Sequence, residues 1–162
     1  MRDTDHEIRI TPAILDRLVD EAPESSRDVM PSRAETVRDY RRAVQRDLEN
    51  LLNTRNPFAD LAPEFVEVRR SVLAFGLPDL SAVNINSPSD QDRVRQAIKN
   101  AVEFFEPRLA GIVAEIVPPS PTDRSLRVRI DARLLLDPSP ERVSFDIVMP
   151  LHTCKYEVKE RE

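Results

Sequence analysis

A chain of 162 residues has the length of one domain with a substantial core, and 40% hydrophobic with 33% charged content suits a soluble globular protein with a highly charged surface. Its net charge of −5 argues against a general nucleic-acid binder, whose phosphate contacts need clustered lysine and arginine. Only two glycines are present, Gly76 and Gly111, too far apart for a phosphate-cradling loop, so nucleotide chemistry is not expected.

Residues 1–10 read as weakly extended or disordered and lack the apolar run of a signal peptide. Thr11-Pro12 is an N-cap followed by proline at the first helical position, and Ile14, Leu15, Leu18 and Val19 form a short apolar stripe before Pro23. So short a helix is marginal in water, so it is expected to dock, either on the body of this protein or on a partner. Residues 21–33 carry Pro23 and Pro31 and read as a linker. The expected organisation is a short helix plus linker over 1–33 and a single α+β domain over 34–162.

Ser32-Arg33-Ala34-Glu35 has the pattern of a capping box and starts a helix to about Leu52, with Val37, Tyr40, Val44, Leu48, Leu51 and Leu52 on its apolar face. A third helix is expected from Pro63, where Phe65, Val68, Val72 and Phe75 follow the helical period and Gly76 supplies a left-handed cap. Ser87-Pro88-Ser89-Asp90 launches the next helix, with Val94, Ala97, Ile98, Ala101, Val102 and Phe105 on one face. Pro107 stops it, and the chain turns into the strand of residues 109–117. That strand is apolar on nearly both faces and is expected to be central in its sheet.

The period then changes from 3.6 to 2. Leu126, Val128, Ile130, Ala132 and Leu134 alternate with charged residues, as do Val143, Phe145, Ile147 and Met149 with more polar ones, and Cys154, Tyr156 and Val158 mark a shorter strand. Helices first and strands afterwards predict an α+β fold, with N-terminal helices packed on one face of a mainly antiparallel sheet of about four strands.

Little catalytic or metal chemistry is suggested. His152 and Cys154 would share a strand face, but no third ligand accompanies them, and His6 is far away in sequence. With no partner thiol for Cys154 and no stretch of ~20 apolar residues, the expected location is cytoplasmic, without membrane insertion, metal or cofactor. Arg127, Arg129 and Arg133 read as a solvated sheet face, or as a surface for an acidic partner. Glu106 at the helix-to-strand corner is the natural candidate acid, yet a residue that must donate a proton is poorly served by Arg108 two positions on. On the residues alone, a structural ion pair and a docking point at this corner remain level.

Five stretches taken in order carry a resemblance: Arg46-Asp47-Leu48-Glu49-Asn50-Leu51-Leu52-Asn53-Thr54-Arg55, Ser71-Val72-Leu73 with Gly76-Leu77-Pro78-Asp79-Leu80, Phe105-Glu106-Pro107-Arg108-Leu109, Ile130-Asp131-Ala132-Arg133-Leu134, and Val143-Ser144-Phe145-Asp146-Ile147. Over residues 36–158 the chain resembles the TssE family of type VI secretion baseplate subunits, which is similar to the baseplate wedge protein of contractile phage tails. Ile14-Leu15-Asp16-Arg17-Leu18 is also similar to the N-terminal helix of secretion-system members.

The resemblance implies a non-enzymatic bacterial baseplate component, cytoplasmic within a membrane-docked baseplate, that links wedge subunits to the first sheath ring. Glu106, Pro107 and Arg108 are then expected to contact the core bundle of the other wedge subunits. Contractile sheath subunits are expected to add strands to the sheet, with Thr153, Cys154, Lys155, Tyr156, Glu157 and Val158 as the expected edge. Because the family has also carried a lysozyme label, the alternative is a peptidoglycan-cleaving, muramidase-like hydrolase using Glu106.

Overall fold

The computed structural model describes residues 33–59, 61, 64–80, 82–84, 87–117, 125–137, 139–149 and 155–161, together with Ile14 and Leu18. The expected linker over 21–33, apart from Arg33, lies outside the described residues, as do the Ser32 cap, Leu15, His6, His152, Thr153 and Cys154.

Helix α1 (Arg33–Asn53) forms where apolar residues recur at three- and four-residue steps, and its Val44, Leu48, Leu51 and Leu52 are buried. Its last turn is closed by side chains. Thr54 Oγ1 donates to the Asn50 carbonyl at 2.7 Å, and Asn53 Nδ2 donates to that of Glu49 at 2.8 Å.

The continuous helix expected from Pro63 to Phe75 is not formed. Helical structure is confined to the single turn α2 (Val66–Arg69), followed by a 3₁₀ turn at Val72–Ala74. Ser71 breaks the run: its backbone is extended (φ −87, ψ 168), and its hydroxyl donates to the Val68 carbonyl and accepts from Leu73 N–H. A serine that satisfies the backbone locally removes the incentive to continue the helix. Burial supplies no counterweight, because Phe65, Val66 and Val72 are exposed. Gly76 has the expected positive φ, at 113°, but it shapes a bridge rather than a helix cap. The chain returns here to the end of α1, where Leu77 N–H donates to the Thr54 carbonyl (2.8 Å) and Asn56 N–H to that of Leu77 (2.7 Å).

Helix α3 (Pro88–Phe105) buries Val94, Ile98, Ala101 and Val102, as its periodicity predicts. Ser87 occupies the N-cap position without capping, its hydroxyl meeting Ser89 Oγ instead.

Strands β1 (Leu109–Val117), β2 (Leu126–Leu134), β3 (Glu141–Met149) and β4 (Glu157–Glu160) form an antiparallel meander in the order β1-β2-β3-β4. The fold is α+β, as expected, with the helices against one sheet face. Val128, Ile130, Leu134, Phe145 and Ile147 meet Val44 and Leu48 of α1 and Ile98 and Val102 of α3 in one core cluster. On the opposite face, Glu115, Arg129, Asp146 and Lys159 stand side by side across all four strands, and Arg129 bonds Asp146 at 3.3 Å. Alternating charge along such a row stabilises neighbouring strands and keeps that face wet.

Strand β1 is an edge, not the central strand that its apolar composition suggests. A bulge between Ala110 and Val113, with Gly111 at φ +65, shifts the inward positions by one. Leu109 and Ile112 therefore both face the core despite their odd spacing, and Val113 is turned to solvent. What looks apolar on both faces is one apolar face interrupted by a bulge.

The two glycines differ in how tightly they are held. A Cβ at Gly76 would lie 2.3 Å from the Thr54 carbonyl oxygen, whereas one at Gly111 would meet only the Arg133 guanidinium at 3.4 Å. Gly76→Ala is expected to lower the unfolding free energy by about 3 kcal/mol or more, because backbone strain and a backbone clash add. Gly111→Ala should cost about 1 kcal/mol, since a flexible side chain can yield. Urea denaturation of both variants checks the order.

Candidate functional site

The corner at Glu106 is built by competing backbone demands. Glu106 N–H still donates helically to the Val102 carbonyl at 3.0 Å, but Pro107 follows and Glu106 leaves helical geometry (φ −119, ψ 78). One turn later Leu109 N–H closes back onto the Glu106 carbonyl at 3.1 Å, and the Arg108 carbonyl accepts from Leu135 N–H at 2.8 Å. The end of α3, the start of β1 and the end of β2 are thereby joined.

Inside the corner, Glu106 is the one buried carboxylate among the described residues. Burial of an ionised carboxylate is costly unless partners replace its water. Arg108 replaces it: Nε donates to Oε1 at 2.6 Å, Nη2 to Oε2 at 2.5 Å, and the backbone N–H to Oε1 at 3.2 Å. This is the two-pronged pairing that guanidinium geometry favours. Arg108 Nη2 also donates to Asp47 Oδ2 of α1 at 2.6 Å, and Arg46 donates to the other Asp47 oxygen at 3.0 Å. The Tyr40 ring lies against the guanidinium, 5.6 Å from its centroid.

Burial alone would lower the Arg108 pKa, but the hydrogen bonds and charge of Glu106, and then those of Asp47, outweigh it and raise the pKa. A cation whose folded pKa is raised contributes stability that is fully present below its unfolded pKa. The share of Arg108 therefore stays constant across the working pH range.

One donor in this cluster is unspent: Arg108 Nη1 is buried without a hydrogen-bond partner among the described residues. The corner borders a cleft of about 440 Å³, lined by Asp47, Asn50, Leu51, Phe75 and Phe105 as well as Glu106, Pro107 and Arg108. Pro107 and Asn50 are exposed at this cleft, while the Glu106 side chain is only 4% exposed. Both Glu106 oxygens already accept from Arg108, so nothing in this geometry offers a substrate the free acid of a hydrolase.

The structure brings Glu106, Pro107 and Arg108 together with Asp47 and Tyr40. Sequence reasoning did not join the latter two to the site, because no local spacing rule links a residue to one 61 positions away. The other predicted residues lie elsewhere. Tyr156 and Val158 are buried beside α1, with Lys155 and Glu157 exposed. Tyr156 N–H and C=O bond the Asn53 side-chain amide, and the Val158 carbonyl accepts from Gln45. Ile14 and Leu18 are helical and 78% and 76% exposed. Among the described residues no group of three His, Cys, Asp or Glu side chains is placed to hold a metal.

The pair is unequal under mutation. Arg108→Ala strands a buried carboxylate and is expected to cost about 3–5 kcal/mol. Glu106→Gln leaves a partly exposed arginine that keeps Asp47 and should cost about 1–3 kcal/mol. Denaturant titration of the two variants tests this asymmetry.

Comparison with known families matches residues 38–139 to the family described as baseplate wedge protein gp25, a span running from α1 through β2 that contains Asp47, Glu106 and Arg108. A comparison with curated proteins finds no match. The family match covers well over half of the chain, so this chain belongs to the baseplate wedge protein gp25 family.

Proposed function

We propose that this protein is the TssE subunit of a type VI secretion baseplate, a non-enzymatic connector between the other wedge subunits and the first ring of the contractile sheath. The family is one of structural baseplate proteins, and the five sequence stretches in order favour the secretion-system branch. In this reading the subunit is cytoplasmic within a membrane-docked baseplate; no helix among the described residues is long and apolar enough to cross a membrane.

The observation that carries the docking role is the open cleft at the corner, on which Pro107 and Asn50 stand exposed beside Arg108. A partner helix from the core bundle, lying over Pro107, fills the cleft. In this reading Glu106 orients Arg108, and Arg108 and Pro107 make the contact.

Sheath strands add at a sheet edge in the same reading. Residues 153–158 are one candidate edge, where the bonds from Asn53 and Gln45 would have to be exchanged. The outer edge of β1 at residues 113–117 needs no exchange, because among the described residues no backbone hydrogen bond from outside the sheet reaches it. This favours β1 as the receiving edge. The N-terminal segment carrying Ile14, Leu15 and Leu18 is a further docking element.

Asn50→Arg places a long side chain across the cleft without touching the clamp. The expected result is an unchanged melting temperature with at least about tenfold loss of co-purification with co-expressed wedge subunits. Retained co-purification would sink the docking role of the corner.

A further inference from the structure

Strand β1 offers a short outer edge. At one end the bulge between Ala110 and Val113 breaks the register, and at the other the strand ends at Val117. A bulge interrupts regular pairing, so the window for an added strand is the five residues 113–117, with Glu115 at its centre. Residues two apart share a sheet face, so Val113, Glu115 and Val117 point outward together. Val113 is 51% exposed, as fits an apolar residue with a strand on one side only. Between them, Ala114 is buried and Ile116 packs against the core cluster.

The charges in line with Glu115 say what belongs beside it. Across the sheet the row runs Glu115, Arg129, Asp146, Lys159, alternating in sign. Arg129 bonds Asp146 at 3.3 Å, and Lys159 meets Glu157 at 3.6 Å. Glu115 is exposed and has no ion pair among the described residues, because its cationic neighbour on β2 is turned to the far side. Opposite charges facing one another across strands attract, and like charges repel. An added strand that continues the row therefore brings a cation opposite Glu115. A second copy of this chain is the wrong occupant: the register that sets valine beside valine also sets Glu115 against Glu115.

We infer that Glu115 pins the register of the strand that adds to β1, and that this strand carries a central lysine or arginine with apolar residues on both sides. Val113 and Val117 flank Glu115 symmetrically, so one pattern serves a parallel or an antiparallel strand. A slip of one residue turns the cation toward the core, and a slip of two sets it beside a valine. The charge thus rejects the neighbouring registers, which apolar contacts alone would tolerate. The inference rests on the reading of β1 as the receiving edge.

The test is co-expression of the full chain with the sheath subunits, comparing Glu115→Lys with Glu157→Lys. Glu157 is an exposed acid of β4, and its reversal changes the net charge equally. Glu115→Lys is expected to lose about tenfold in sheath capture at an unchanged melting temperature, while Glu157→Lys retains it. Sheath variants selected to restore capture by Glu115→Lys should carry an acid in place of a lysine or arginine flanked by apolar residues. An equal loss in both variants would overturn the inference as an effect of net charge. Hydrogen exchange of the unaltered complex locates the added strand. Protection gained over 113–117, with full capture by Glu115→Lys, would overturn the inference and leave the receiving edge in place. Protection gained at 157–160 instead, or no sheath capture by the unaltered chain, would overturn the receiving-edge reading and the inference with it.

Discussion

The Arg108 clamp is the interaction on which the rest of this structure depends. Its guanidinium holds the buried Glu106 carboxylate, reaches Asp47 on α1 and rests on Tyr40, while its own backbone carbonyl ties the end of β2. Burying such a pair in place of apolar side chains adds little stability by itself, since desolvation consumes most of the attraction. What the pair provides is a definite geometry. An apolar contact tolerates sliding and rotation, whereas a forked pair between Arg108 and two carboxylates on different elements accepts only one arrangement of α1 and the α3–β1 corner.

That orientation has consequences at the far side of the sheet. With α1 held at Asp47, its side chains Gln45 and Asn53 reach the backbone of residues 156–158. The Asn53 amide both donates to and accepts from Tyr156, as a neighbouring strand would, and Arg41 bonds Glu160 and Glu141 alongside. The helix thus behaves toward β4 as a fifth strand made of side chains. Exposed sheet edges invite uncontrolled pairing. A protein built for assembly has reason to close one edge and leave the other available, and among the described residues the bulged edge at β1 has no such cover.

Several features were legible because they are local. The apolar stripes of α1 and α3 and the strict alternation in β2 and β3 follow from repeat distances of single elements, and their buried residues are those the periods select. The stop at Pro107 is equally local. The readings that failed were also local, but competed with context. Phe65, Val68, Val72 and Phe75 have a helical spacing, yet Ser71 bonds its own backbone and no surface waits to bury that face. In β1, one glycine at positive φ changes which residues point inward, so an edge strand reads as a central one.

The sequence by itself determined the fold class, the two long helices, the charged corner and the resemblance to a wedge family, since each rests on neighbouring residues and their periods. Only the tertiary structure decided that Glu106 is spent on Arg108, that Asp47 and Tyr40 complete the clamp, and that α1 guards the β4 edge. The reason is physical. Apart from the Glu106–Arg108 pair itself, these contacts join residues about 60 to 120 positions apart, and pairing across such distances depends on how packed elements meet, which the spacing along one helix or strand does not encode.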